Sequence, residues 1–225
     1  MIKQGIFALL LALLPLPAAV HADIDPALVE GMSPAEWDDV DTLYTRGEVD
    51  LTRFRSVLIE APSVEMRNGW LRQQNRVRVS PQDRIRPEDE EKIQEELSAD
   101  LVDRFTATLD RAGFRVVAEA GPDTLVVRPS LVRVDVFDPN LAYRQSARRV
   151  TVPSAQAGSN LIATDMTLQL QFFEGASDAA LIVAEDRLQA RKVTSNIGLD
   201  VTDRQANAVI FDRWASKLVK ALNGA

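Results

Sequence analysis

The sequence predicts an α+β fold: a mixed, mostly antiparallel sheet with two long amphipathic helices packed on one face. Three observations predict it. Residues 87–112 carry Ile93, Leu97, Leu101, Phe105 and Leu109 at steps of four, with Val102 and Ala112 widening the stripe. Residues 161–191 hold two alternating runs joined by Glu174–Asp178, a hairpin pattern. Residues 202–222 return to helical spacing with Ala206, Ile210, Trp214, Leu218 and Leu222.

The chain opens with a charged Lys3, an uncharged apolar run Ile6–Leu14, the helix breakers Pro15 and Pro17, and small residues around Val20-His21-Ala22. That order predicts a cleavable secretory signal peptide over 1–22, since the apolar run is about half the ~20 residues a bilayer span needs. Residues 23–52 read as a lead-in and a short helix. Ser33 is its N-cap, Pro34 its first position, Trp37, Val40, Leu43 and Tyr44 its apolar face, and Gly47 its end.

Residues 53–225 read as a single α+β domain. Arg55–Val64 reads as a covered central strand, with Val57, Ile59 and Ala61 alternating with Leu58 and Glu60 before Pro62, and Trp70–Val79 is a weaker, Arg-rich stretch with strand-like alternation. Pro87 opens the long helix, with Glu88–Glu91 in the first turn where the helix dipole favours anions. Gly113 closes it.

Phe114–Ala118 reads as a strand and Gly121-Pro122-Asp123 as a turn. Thr124–Val136 reads as a long strand in which Pro129 marks an edge position or a bulge. Asp138–Asn160 is a polar loop. In the hairpin, Met166, Leu168, Leu170 and Phe172 oppose Thr167, Gln169 and Gln171. Ala180, Ile182, Ala184 and Leu188 then oppose Glu185, Arg187 and Gln189. Thr202 caps the closing helix and Gly224 ends it.

Composition bounds the chemistry. The net charge is −7, and −8 without residues 1–22, which hold Lys3 and no acid. An acidic chain argues against a general nucleic-acid binder. There is no cysteine, and the one histidine, His21, lies in the signal segment. Ser-His-Asp and Cys-His catalysis and the usual zinc and copper ligand sets are therefore absent from residues 23–225. No cofactor is expected, no catalytic or metal residue is assigned, and no later segment is apolar enough to span a membrane.

The remaining candidates have plainer readings beside them. Asp38, Asp39 and Asp41 lack the spacing of a calcium loop and suit a solvated helix face. Asp135 and Asp138 could form a carboxylate pair, but "DPN" is a turn signal that explains Asp138. Trp214 reads as core and Trp37 as packing under the first helix. Ser216 and Lys217 are adjacent on a helix and so face apart. The stretch 67–86 is different: Arg67, Arg72, Arg76, Arg78, Arg84 and Arg86 stand against Asp83 alone, a local excess of positive charge in an acidic chain. It is the candidate interaction surface. The plainer alternative is that arginine is simply this chain's common basic residue and the acidic start of the long helix neutralises the run.

The order of "RFRSVLIEAPSVEM", "AGFRVVAEAGPDTLVVRPSLVRVDV", "DMTLQLQFFEGASDAALIVAEDRLQARK" and "VIFDRWASKLVKAL", spanning Arg53–Leu222, resembles a family of bacterial envelope lipoproteins, domain of unknown function 3313. In outline that family is similar to small α/β domains of envelope proteins such as the N-terminal domain of the Tol-system translocation protein. The resemblance implies an envelope location. Family members usually keep a cysteine for lipid attachment, and Ala19–Ile24 has none, so this chain is expected free in the periplasm or secreted. The leading expectation is a non-enzymatic periplasmic accessory protein whose partner is an envelope protein or an anionic envelope component. The alternatives are a small-molecule or glycan binder with a cleft lined by 138–160, and a carboxylate-dependent hydrolase.

Overall fold

The computed structural model describes residues 24–37, 40–76, 78, 81, 84–137, 162–189 and 204–224. The expected signal segment and the expected helix cap Thr202 lie outside the described residues. The strands are β1 (Ser33–Ala35), β2 (Thr42–Thr45), β3 (Ser56–Ile59), β4 (Ser63–Met66), β5 (Arg115–Val116), β6 (Thr124–Phe137), β7 (Ile162–Glu174) and β8 (Ile182–Gln189). The helices are α1 (Trp70–Arg76), α2 (Pro87–Arg111) and α3 (Arg204–Leu222). The strands form one sheet in the order β1-β2-β8-β7-β6-β3-β5, with β4 also pairing β6. Pairs β1–β2, β2–β8, β8–β7 and β7–β6 are antiparallel; β3 and β4 run parallel to β6, and β5 parallel to β3. The class is α+β, as the sequence predicts.

The large apolar positions of both helical stripes are buried, while Val102 is half-buried, Ala112 is exposed and the side chain of Ala206 lies outside the described residues. Ile93, Leu97, Leu101, Phe105 and Leu109 of α2, and Ile210, Trp214, Leu218 and Leu222 of α3, share one core with Met166, Leu168, Leu170 and Phe172 of β7. Arg104 of α2 reaches both Asp100 and Asp212 of α3, tying the helices along their outer edge. Gly113 ends α2 at φ +86°, a left-handed position that only glycine takes without steric cost.

Four expectations are corrected. The first is the short helix at 33–47, which is instead the hairpin-like pair β1 and β2. Thr42, Tyr44 and Thr45 are β-branched or aromatic and suit a pleated surface, and pairing with the edge of β8 buries Leu43 opposite Ala184. Pro34 is accommodated because β1 is the edge strand. The second is the strand-like stretch from Trp70, which is helix α1. The third is the long first strand, which Pro62 divides into β3 and β4.

The fourth is Pro129, which marks neither an edge nor a bulge. It sits opposite Leu170 in the middle of β6, between the two parallel neighbours: β3 ends against Val127 and β4 begins against Ser130. The Val127 carbonyl accepts from the Glu60 N–H, so Val127 directs its backbone polar groups toward β3. By alternation Pro129, two residues on, has its missing N–H on the same side, at the gap between β3 and β4.

The bulge lies further along. Arg133 has φ +54° and the register shifts between Val132 and Asp135. Leu125, Val127 and Leu131 face the core before it, and Val134 and Val136 after it. Without that extra residue the inward positions would be Arg133 and Asp135.

Candidate functional site: an arginine corner and a clasped carboxylate

The arginine-rich stretch folds at the end of the sheet where β4 and β6 finish. Trp70 is buried there, and its indole Nε1 donates to the Val136 carbonyl at 3.1 Å, anchoring α1 to the end of β6. The Asn75 side chain then holds the approach to α2: its Nδ2 donates to the Ile85 carbonyl and its Oδ1 accepts from the Ile85 N–H, both at 2.8 Å. This two-pronged bond holds the backbone at Ile85, flanked by Arg84 and Arg86, against Asn75 in the last turn of α1, the helix that carries Arg72 and Arg76. The Asp89 carboxylate accepts from the Arg86 N–H at 2.9 Å and opens α2.

The six arginines do not share one environment. Arg67 forms an ion pair with Asp135 at 3.0 Å and donates to Gln73 at 2.6 Å. Arg78 is buried and donates to the Gln74 carbonyl at 3.0 Å. Arg72, Arg76, Arg84 and Arg86 are exposed and make no ion pair among the described residues. Because the segment is a helix, Arg72 and Arg76 share a face through i, i+4 spacing, while Arg78 turns inward; the strand-like alternation expected of this stretch does not form.

Several arginines elsewhere are spoken for. Arg128 holds Glu60 with two bonds, and that partner raises the already high guanidinium pKa. Arg187 holds Asp165 likewise, with the same upward effect. Arg53 pairs with Glu174 at 2.7 Å.

The other sequence candidates are dispersed. Asp41 accepts from the Arg187 N–H at 2.8 Å, tying β2 to β8, while Asp38 and Asp39 lie outside the described residues. Asp135 is engaged by Arg67; Asp138 and the loop 138–160 lie outside the described residues, as does Asp83. Ser216 donates to the Asp212 carbonyl of its own helix at 2.7 Å, away from the Lys217 contact, so the two do face apart.

One charged group escaped the sequence reading. Asp186 lies on the core-facing side of β8, in step with Ile182 and Ala184. Its Oδ2 accepts from the Trp214 indole N–H and from the Lys217 ammonium, each at 2.6 Å, and both partners of the ion pair are nearly buried. The signal was an acid at an inward position of an alternating strand, matched by a lysine three residues beyond a core tryptophan. Beside this clasp, Trp37, Val40, Leu170 and Leu218 line a cavity of about 20 Å³. That volume holds roughly one water and is far below the ~300 Å³ of a ligand pocket.

Among the described residues no group of three or more acidic side chains is placed to hold a metal ion, and no helix is long and apolar enough to cross a membrane. A family model described as "Protein of unknown function (DUF3313)" matches residues 29–218. No curated protein matches the chain. Among solved structures, a dodecamer of a PelC variant from Paraburkholderia phytofirmans is similar at 8% sequence identity, covering 80% of this chain and 95% of that one with a TM-score of 0.35. A likeness at that level carries no argument about fold or function.

Proposed function

We propose that this chain, which belongs to the DUF3313 family of proteins of unknown function, is a non-enzymatic accessory protein of the bacterial envelope. In this reading it works in the periplasm once Met1–Ala22 has been removed, and it acts through contacts made by its surface.

One observation carries the reading. Arg72, Arg76, Arg84 and Arg86 are gathered by the Asn75–Ile85 bonds, exposed, and free of ion pairs among the described residues, on a chain of net charge −7. Exposed arginines contribute at most about 1 kcal/mol each to folding even when paired, so four that make no ion pair among the described residues serve folding little and stand available to a partner. The cavity beside Asp186 is water-sized, and the loop 138–160 that the small-molecule reading invokes lies outside the described residues. The carboxylate chemistry considered for Asp135 has its candidate held by Arg67.

The test is fractionation of cells expressing the parent chain or the variant with Arg72, Arg76, Arg84 and Arg86 changed to Gln. The expected result is export of both chains, cleavage near Ala22, and association with envelope material that weakens in the variant. Identical association of the two chains, or retention of Met1 in the exported protein, contradicts it.

A further inference from the structure

We infer that the Arg72–Arg76–Arg84–Arg86 corner docks the chain onto the phosphate-bearing face of an anionic lipid bilayer; this rests on the surface-contact reading above and names its partner. Two kinds of partner present dense negative charge to such a corner, an acidic protein and a phospholipid surface. The described side chains between the arginines favour the second. Protein interfaces are centred on exposed aromatic or aliphatic anchors ringed by polar groups. Here Trp70 and Ile85 are buried, and Leu71 is packed against the core. The one exposed large apolar side chain among the described residues is Leu28, in the lead-in before β1. Among its described residues the corner therefore offers charge without an apolar anchor.

Its arrangement suits many phosphates rather than one. Arg72 and Arg76 stand one helical turn apart, and Arg84 and Arg86 reach solvent on either side of the buried Ile85. All four are exposed, so each guanidinium can offer its planar fork to a separate phosphate. The acidic remainder of the chain sets orientation: at physiological salt, charges beyond ~8 Å are largely screened, so the corner can approach an anionic surface that repels the other faces. The first turn of α2 carries Glu88, Asp89 and Glu90, and Asp89 already accepts from the Arg86 N–H.

The experiment is co-sedimentation of the chain, as recovered from cells, with vesicles of phosphatidylglycerol and phosphatidylcholine or of phosphatidylcholine alone. The expected result is binding to the mixed vesicles only, weakening as salt rises, and falling by about fivefold for each arginine changed to Gln. Glu88→Gln is expected to strengthen it. Equal binding to both vesicle types, no binding to either, or binding unchanged in the four-fold Gln variant overturns the inference. So does displacement by millimolar inorganic phosphate beyond the effect of chloride at equal ionic strength, which marks a discrete anion site. Arginine-dependent association with whole envelopes but none with anionic vesicles overturns the lipid partner and leaves the surface reading standing; association indifferent to the arginines in both assays removes both.

Discussion

The corner between α1 and α2 and the clasp beneath α3 are both built from charged side chains, and they use them in opposite ways. At the corner, four guanidiniums are exposed and make no ion pair among the described residues. At the clasp, one carboxylate and one ammonium are nearly buried, 2.6 Å apart, and the carboxylate also takes an indole N–H. Burying an ion is costly unless its partners are fixed, so the clasp can exist only in the folded state and helps set how α3 sits on β8. The corner makes no such demand on the fold. Abundant charge at a surface and scarce charge in a core thus lead to different expectations: the first concerns association, the second stability.

The largest expected effect is at the clasp. Asp186→Ala takes the buried carboxylate away from Lys217 and should cost ~3–5 kcal/mol, as much as the core deletion Phe105→Ala at ~3–5 kcal/mol; chemical denaturation of the two variants makes the comparison. Replacing the pair together, Asp186→Leu with Lys217→Met, should recover only part of the loss: apolar groups of similar size often replace a buried ion pair without penalty, but the Trp214 indole N–H loses its acceptor. If Asp186→Ala leaves the midpoint unchanged, the clasp is as dispensable to folding as the corner and the contrast fails.

A smaller effect is expected at the bulge. Arg133→Gly removes a left-handed strain of about 1–2 kcal/mol but also the Arg133–Thr167 bond, so its denaturation midpoint should hold or rise slightly. Arg133→Val should lower it, because a β-branched residue is a poor fit at φ +54°. At the corner itself, each Arg-to-Gln change should move stability by no more than about 0.5 kcal/mol.

The smallest effect is expected at Asp50, whose carboxyl is held below its ordinary pKa chiefly by the Thr52 hydroxyl and also by the Thr52 N–H. A depressed folded-state pKa contributes stability above the carboxylate's ordinary value and loses it as pH falls through the lower folded value. Asp50→Asn should slightly flatten the acid limb of a stability–pH curve.

The same contrast explains what could be read from the sequence. α2, the β7–β8 hairpin and α3 were legible because their apolar spacing runs long enough to identify a period. The pair β1–β2 was not: Ser33-Pro34 imitates a helix start, and only the edge of β8, distant in sequence, makes Thr42–Thr45 a strand. The segment from Trp70 is strand-like in its alternation, and the bond from Trp70 to Val136 that anchors its helix joins residues distant in sequence. The positive charge at 67–86 was plain in the sequence; the division into exposed Arg72, Arg76, Arg84 and Arg86, paired Arg67 and buried Arg78 was not, since it depends on α1 and on Asn75 gripping Ile85. Asp186 was missed because one acid in step with Ile182 and Ala184 looks like a break in the pattern until Lys217 and Trp214 are brought opposite it.

The most direct test of the proposed division of labour measures stability and envelope association on one variant, Arg72, Arg76, Arg84 and Arg86 all changed to Gln. The expected result is a denaturation midpoint close to that of the parent together with a loss of association with isolated envelopes. A midpoint that collapses would mean the corner is part of what holds the fold, and association equal to the parent's would mean the four exposed arginines are an ordinary solvated surface; either result contradicts the proposal.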